Sequence, residues 1–150
     1  ENRLDMKFVI QRVSEASVKV DGEIIGQIGK GFMVLIGVGQ DDTKEIADKM
    51  VKKLVGLRIF EDENGKTNLS LADVSGEMLL ISQFTLYGDC SHGNRPSFSS
   101  AEKPERAKAL YEYVGQLLRE YNVTVKTGVF GADMKIEQFN DGPVTVIYEV

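Results

Sequence analysis

One histidine and one cysteine in 150 residues leave little room for the commonest hydrolytic and metal chemistries. A Ser-His-Asp or Cys-His centre needs a histidine beside its nucleophile, and His92 is the sole candidate. The lone Cys90 excludes an internal disulfide and suits a reducing compartment. No apolar run reaches the length of a membrane helix or a signal-peptide core, so a soluble cytoplasmic protein is expected. Positive charge is scarce too: 18 Lys and Arg against 23 Asp and Glu leave a net charge of −5. That balance argues against a broad basic surface for nucleic acid or membrane, so any nucleic-acid contact must be local and geometric.

What is present describes a globular chain. Apolar residues make up 42% and charged ones 27%, ordinary usage for one domain. Residues 6–150 read as that single domain; ENRLD before Met6 shares no pattern with it and reads as a remnant ahead of the natural start. MKFVIQRV (6–13) and ASVKV (16–20) are β-rich, and Asp21-Gly22 turns the chain into EIIGQIG, which predicts a β-meander. GFMVLIGV (31–38) is apolar throughout, as a strand buried on both faces at the sheet centre would be. From Thr43 the period changes: Ile46, Ala47, Met50, Val51 and Leu54 form one stripe of an amphipathic helix.

LRIF (57–60) and MLLISQFTLY (78–87) read as further strands, the second buried. Pro104 suits a first helical turn, and apolar residues then recur at spacings of three and four from Ala107 to Tyr121. Strands near 123–130, 133–139 and 144–150 complete the chain, the last two joined by an Asn-Asp-Gly-Pro turn.

Several candidate sites have an ordinary structural explanation. Cys90 and His92, two apart in one loop, could form a dyad or simply be polar surface, and with Asp89 they offer at most three metal ligands. Gly37-Val-Gly39 lacks the third glycine of a dinucleotide turn. Lys49, Lys52 and Lys53 make either a solvated helix face or a phosphate patch. Two stretches are harder to explain away. Ser82, Gln83 and Thr85 crowd an otherwise apolar strand around Phe84, with Gln83 and Thr85 on one face by strand alternation. Pro143 stands where a ladder amide is needed, as an edge-strand turn or a cis peptide bond would explain.

SQFTLY (82–87) together with NDGPVT (140–145) resembles the paired signature of the D-aminoacyl-tRNA deacylases, also called D-tyrosyl-tRNA deacylases. The stretches at 11–38, GNRPSF at 93–98 and GVFGADMKIEQFNDGPVT at 128–145 extend the resemblance from Met6 to Val150. A departure is His92, where similar proteins often carry Lys or Arg before the glycine.

The resemblance implies a cytoplasmic homodimer that hydrolyses the ester between a D-amino acid and the 3′-terminal adenosine of tRNA in translational proofreading; no cofactor and no metal ligand is assigned. Ser82, Gln83, Phe84 and Thr85 would line the ester site, with amides near Phe84 and Thr85 as the oxyanion hole and Thr85 positioning rather than attacking. Gly142 and Pro143, joined by a cis bond, would enter the partner subunit's pocket and reject L side chains, so that glycyl-tRNA also passes. Arg12 would hold the partner's Gly-Pro loop, and Asn140 shares the loop's signature. Met134 with Pro96, Ser97 and Phe98 would surround the adenosine. Rival readings are a Cys90-His92 ester or peptide hydrolase, an editing enzyme for L-aminoacyl-tRNA, and a dimeric RNA-end module without turnover. The fold expected is mixed α/β (α+β): an antiparallel-rich sheet or barrel with two main helices packed outside.

Overall fold

The computed structural model describes residues 5–150, so the segment read as a remnant lies outside it except for Asp5. Its strand β1 (Lys7–Val20) is one continuous element in place of the two shorter strands the sequence suggests. Strand β2 (Glu23–Ile28) returns through Asp21 and Gly22, whose φ values of 51° and 82° are those a two-residue hairpin of type I′ demands. Strand β3 (Gly31–Gly37) then pairs with β1 and not with β2, so the expected meander is not formed. The reason is the length of β1: its second half is taken by β2 and its first half, Lys7 to Val13, is free for β3.

Helix α1 (Lys44–Gly56) starts at Thr43, whose hydroxyl caps the amide of Ile46 at 3.2 Å. Ala47, Met50, Val51 and Leu54 are its buried stripe. LRIF contributes only its last residue to strand β4 (Phe60–Glu61), because the Leu57 amide is still bonded to Leu54 as the chain leaves the helix. Strand β4 pairs with β5 (Thr67–Leu69) in a separate small ribbon, pinned by Phe60 stacking on Phe32 at 5.2 Å.

Strand β6 (Glu77–Ser82) lies parallel to β3, and β7 (Thr124–Thr127) parallel to β6; helix α2 (Pro104–Glu120) precedes β7. Strand β8 (Lys135–Glu149) runs antiparallel along nearly all of β1. The mixed sheet is thus ordered β2-β1-β3-β6-β7 with β8 on the other edge of β1, and it curls until β2 approaches β7 as a nearly closed barrel. At that seam a Cβ on Gly26 would come within 3.0 Å of the Thr127 carbonyl. One face buries Phe8, Ile10, Val34, Ile36 and Leu80 under both helices. The other encloses Val18, Ile28, Met33, Leu79 and Ile81 inside the curl.

Asp42 organises the loop beyond β3. Its fully buried carboxylate accepts from the amides of Met6 at 2.8 Å and Gly39 at 2.6 Å. Arg106 of α2 donates to the Asp42 and Gln40 carbonyls and pairs with Glu102. The Glu102 amide bonds Val38 at 3.0 Å, and Gly39 bridges Ala101. Burial pushes the Asp42 carboxyl up to about 6 despite the two amides and Arg106, which pull it down. A group raised in the folded state stabilises below its unfolded value, 3.8, and loses that contribution as pH rises through about 6. Thermal melts should therefore show the native chain losing on the order of 3 kcal/mol relative to Asp42→Asn between these limits. A difference that does not vary with pH would contradict this.

Candidate functional site

The polar residues of SQFT are not consecutive positions of a strand. Strand β6 ends at Ser82, and Phe84–Tyr87 wind into a single 3₁₀ turn. The Gln83 amide makes the last bond of the β3–β6 ladder, to the Ile36 carbonyl at 2.7 Å. The turn follows from packing: the Tyr87 ring lies where Gly37 has no side chain, and its hydroxyl donates to the Gly37 carbonyl at 3.0 Å. A Cβ on Gly37 would stand 2.8 Å from that ring. Strand alternation therefore fails for Gln83 and Thr85, which meet instead by a hydrogen bond, the Thr85 hydroxyl donating to Gln83 Oε1 at 2.6 Å.

Beside this turn lies a cavity of about 540 Å³, within the size range of small-molecule sites. Ser82, Gln83, Phe84, Phe98 and Met134, all singled out in the sequence, line it. Ala101, Glu102, Pro104 and Ala107 form the wall toward α2, and Phe130 to Ala132 the wall beyond β7. At its rim Phe84 is 55% and Phe98 37% exposed, with ring centroids 5.3 Å apart in an edge-to-face pair. Exposed aromatic faces over an open hollow suit a planar ring. No side chain caps the 3₁₀ turn, and the first amides of such a turn have no acceptor within it. Thr85 is exposed beside the cavity but does not line it.

Phe130, Glu102 and the three alanines were missed as lining residues. Phe130 sits in the Gly-Val-Phe-Gly stretch, where a large apolar residue between glycines was the available signal. Glu102 and Ala107 gave none, because the first turn of α2 is brought to the cavity by the loop that Asp42 and Arg106 hold. Hydrogen bonds from the Lys103 amide and Arg106 keep the Glu102 carboxyl below its ordinary range. Pro96 and Ser97 lie outside the lining; Ser97 pairs with Asp89 across the loop, by backbone bonds of 2.7 and 2.9 Å. Cys90 is exposed, and neither it nor His92 lines the cavity or bonds the other among the described residues.

The second signature stretch is elsewhere. Asp141 to Val144 are not a hairpin turn but an excursion within β8: Gln11 pairs with Thr145 and Val13 with Asn140, so four residues bulge opposite Arg12 alone. The Gly142–Pro143 peptide is cis, Gly142 has φ of 126°, and both residues are exposed. Proline is tolerated because the bulged residues take no part in the ladder. Arg12, 4% exposed, grips this bulge in its own chain: Nε donates to the Asp141 carbonyl at 2.9 Å and Nη1 to the Ile59 carbonyl at 2.7 Å. Glu61 and Asp141 carboxylates lie at 3.9 and 3.6 Å. The sequence resemblance placed this guanidinium on a partner's loop; here its bonds are within the chain. Asn140 accepts from Gln138 Nε2 at 2.5 Å, and Gln138 also donates to Gln11 at 2.8 Å. Gly142, Pro143, Arg12 and Asn140 all stand apart from the cavity lining.

A family profile for D-Tyr-tRNA(Tyr) deacylase matches residues 9–149. A D-aminoacyl-tRNA deacylase of Thermosipho melanesiensis is 54% identical over 96% of this chain and 97% of its own. That of Fervidobacterium nodosum is 56% identical over the same shares. Among solved structures, a c-Myc DNA unwinding element binding protein is 44% identical, covers 96% of this chain and 98% of its own, and superposes with a TM-score of 0.89.

Arg12→Lys keeps a charge but loses the planar fork that reaches two carbonyls at once. It should destabilise the fold by about 2–4 kcal/mol in urea denaturation, since a buried charge loses hydrogen-bond partners. A change within about 0.5 kcal/mol would show that the bulge holds itself.

Proposed function

The chain belongs to the D-Tyr-tRNA(Tyr) deacylase family, and from that premise we propose that its cavity receives the 3′-aminoacylated adenosine of tRNA and hydrolyses the ester. The enzyme is accordingly a hydrolase, a D-aminoacyl-tRNA deacylase, working in translational proofreading in the cytoplasm. The observation that carries the reading is the uncapped 3₁₀ turn of SQFT at the edge of an aromatic-rimmed cavity. An aminoacyl ester is already activated, so catalysis needs a placed water and donors for the oxyanion more than a strong nucleophile. The amides of Phe84 and Thr85 are those donors. Water adds to the ester carbon, and the tetrahedral oxyanion rests on the amides. The bond to the ribose 3′-oxygen then breaks, and the water's proton passes to that oxygen with help from the 2′-hydroxyl. Thr85 positions and does not attack: its hydroxyl is donated to Gln83, whose amide oxygen is no general base.

Chirality is assigned to Gly142 and Pro143 of a second subunit. They are exposed on their own chain and absent from its own cavity, as parts meant for a partner would be. Strand β8 pairs only with β1 and shows Phe139 at 59% and Ile147 at 64% exposure, an edge suited to covering by a second copy. Delivered to the partner's cavity, the two carbonyls accept the substrate's α-ammonium, and an L side chain then meets the proline while a D side chain points outward. Selection is by exclusion, so glycyl-tRNA is cleaved as well. Lys49, Lys52 and Lys53 flank a hollow of about 340 Å³ with Tyr148 and add weak contacts to the acceptor stem.

Deacylation of D-tyrosyl-tRNA and L-tyrosyl-tRNA by the purified protein tests this directly. The D ester alone should be cleaved rapidly, glycyl-tRNA detectably, and Pro143→Ala should lower the D-to-L ratio by about tenfold or more. Equal cleavage of both tyrosyl esters would remove the chiral assignment; cleavage of neither would leave the binding-module reading. Thr85→Ala should cost less than the roughly 100-fold expected of a lost proton-transfer group, and a trapped acyl-enzyme would reverse that role. Cys90→Ala should keep full activity, which the thiol-hydrolase alternative forbids.

A further inference from the structure

Phe130 is a wall of two hollows. Beyond the cavity just described, it also bounds one of about 460 Å³ between α2 and the end of β7. Helix α2 gives this second hollow Lys108, Glu112 and Arg119, residues that share one helical face by their spacing. Lys108 is exposed and has no ion pair among the described residues. The Arg119 head is held at the groove by donating to the Val125 carbonyl at 3.3 Å. Two cations against one acid is a local excess of positive charge on a chain whose net charge is −5.

The direction of the hollow is informative. Pro104, in the first turn of α2, lines the catalytic cavity; Lys108 is one turn further and Arg119 three turns beyond that, about 16 Å along the axis. The cations therefore lead away from the cavity in a line. A terminal adenosine bound there is attached to a phosphodiester strand that must leave by some route. Phe130, half-buried, offers aromatic surface where the two hollows meet, backed at 6.2 Å by the buried Tyr111 ring. A cationic track with aromatic surface is the combination that holds single-stranded nucleic acid without base readout.

We infer that the hollow between α2 and β7 holds the unpaired nucleotides preceding the terminal adenosine of the tRNA, with Lys108 and Arg119 meeting their phosphates. The inference rests on the adenosine reading of the cavity and deepens it: one face of α2 recognises RNA backbone and the other end of the same helix walls the ester site.

The test compares D-tyrosyl-tRNA with D-tyrosyl-adenosine, the same ester on the nucleoside alone. Lys108→Glu should raise the KM for the tRNA substrate roughly tenfold, flatten its salt dependence by about one phosphate contact, and leave hydrolysis of the adenosine ester unchanged. Arg119→Gln should act in the same direction, with a thermal melt to show the fold is kept. An unchanged KM for tRNA, or equal losses on both substrates, would overturn the assignment. Should the native protein cleave neither ester, the catalytic reading fails on its own. Anisotropy of a 5′-labelled, uncharged RNA oligonucleotide ending in CCA then decides the groove: weaker, less salt-sensitive binding by Lys108→Glu supports it, and equal binding refutes it.

Discussion

The parallel pairing of β3 with β6 is the constraint on which the site depends. It runs from Gly31 opposite Glu77 to Ile36 opposite Ser82, and the Gln83 amide adds a final bond. Nothing but backbone fits at its start, where a Cβ on Gly31 would lie 1.8 Å from the Glu77 carbonyl. At its end, β3 has become glycine and Tyr87 occupies the space, so the chain cannot continue as a strand. The 3₁₀ turn that results presents amides at the carboxyl end of parallel strands, a place where α/β proteins commonly bind ligands.

Around that turn the structure separates tasks physically. Apolar burial under the helices holds the sheet, while the buried Asp42 and the Arg106 fan hold the loop that closes the cavity. Arg12 performs the same service for the bulge of β8. Both are charged groups buried with several partners, and such groups fix a loop because leaving any partner unpaired is costly. An acidic protein can then serve an RNA substrate, since the contacts required are few and local.

Periodicity was legible wherever one element meets one surface. The α1 stripe from Ile46 to Leu54, the α2 stripe and the Asp21-Gly22 turn all stand as the sequence reads. It misled where an element meets two. β1 is long enough to take three partners, so it became one strand without a meander. Asp141-Gly142 carries a hairpin signal, yet β8 passes through it because β1 continues to offer a pairing edge on both sides. Alternation along Ser82 to Thr85 failed because the packing of Tyr87 against Gly37 is invisible locally.

By itself, then, the sequence determined the mixed α/β class, the two helices and the little room that one histidine leaves for hydrolytic centres, because these follow from composition, period and residue type; the motif residues of a deacylase were legible only as a resemblance. Only the tertiary structure decided that Ser82, Gln83, Phe84, Phe98 and Met134 share one cavity, that Phe130, Glu102 and Ala107 complete it, and that Gly142 and Pro143 stand outside it. Residues this far apart in the chain meet through the curl of the sheet and the loop bonds of Asp42 and Arg106, and no local pattern carries that information.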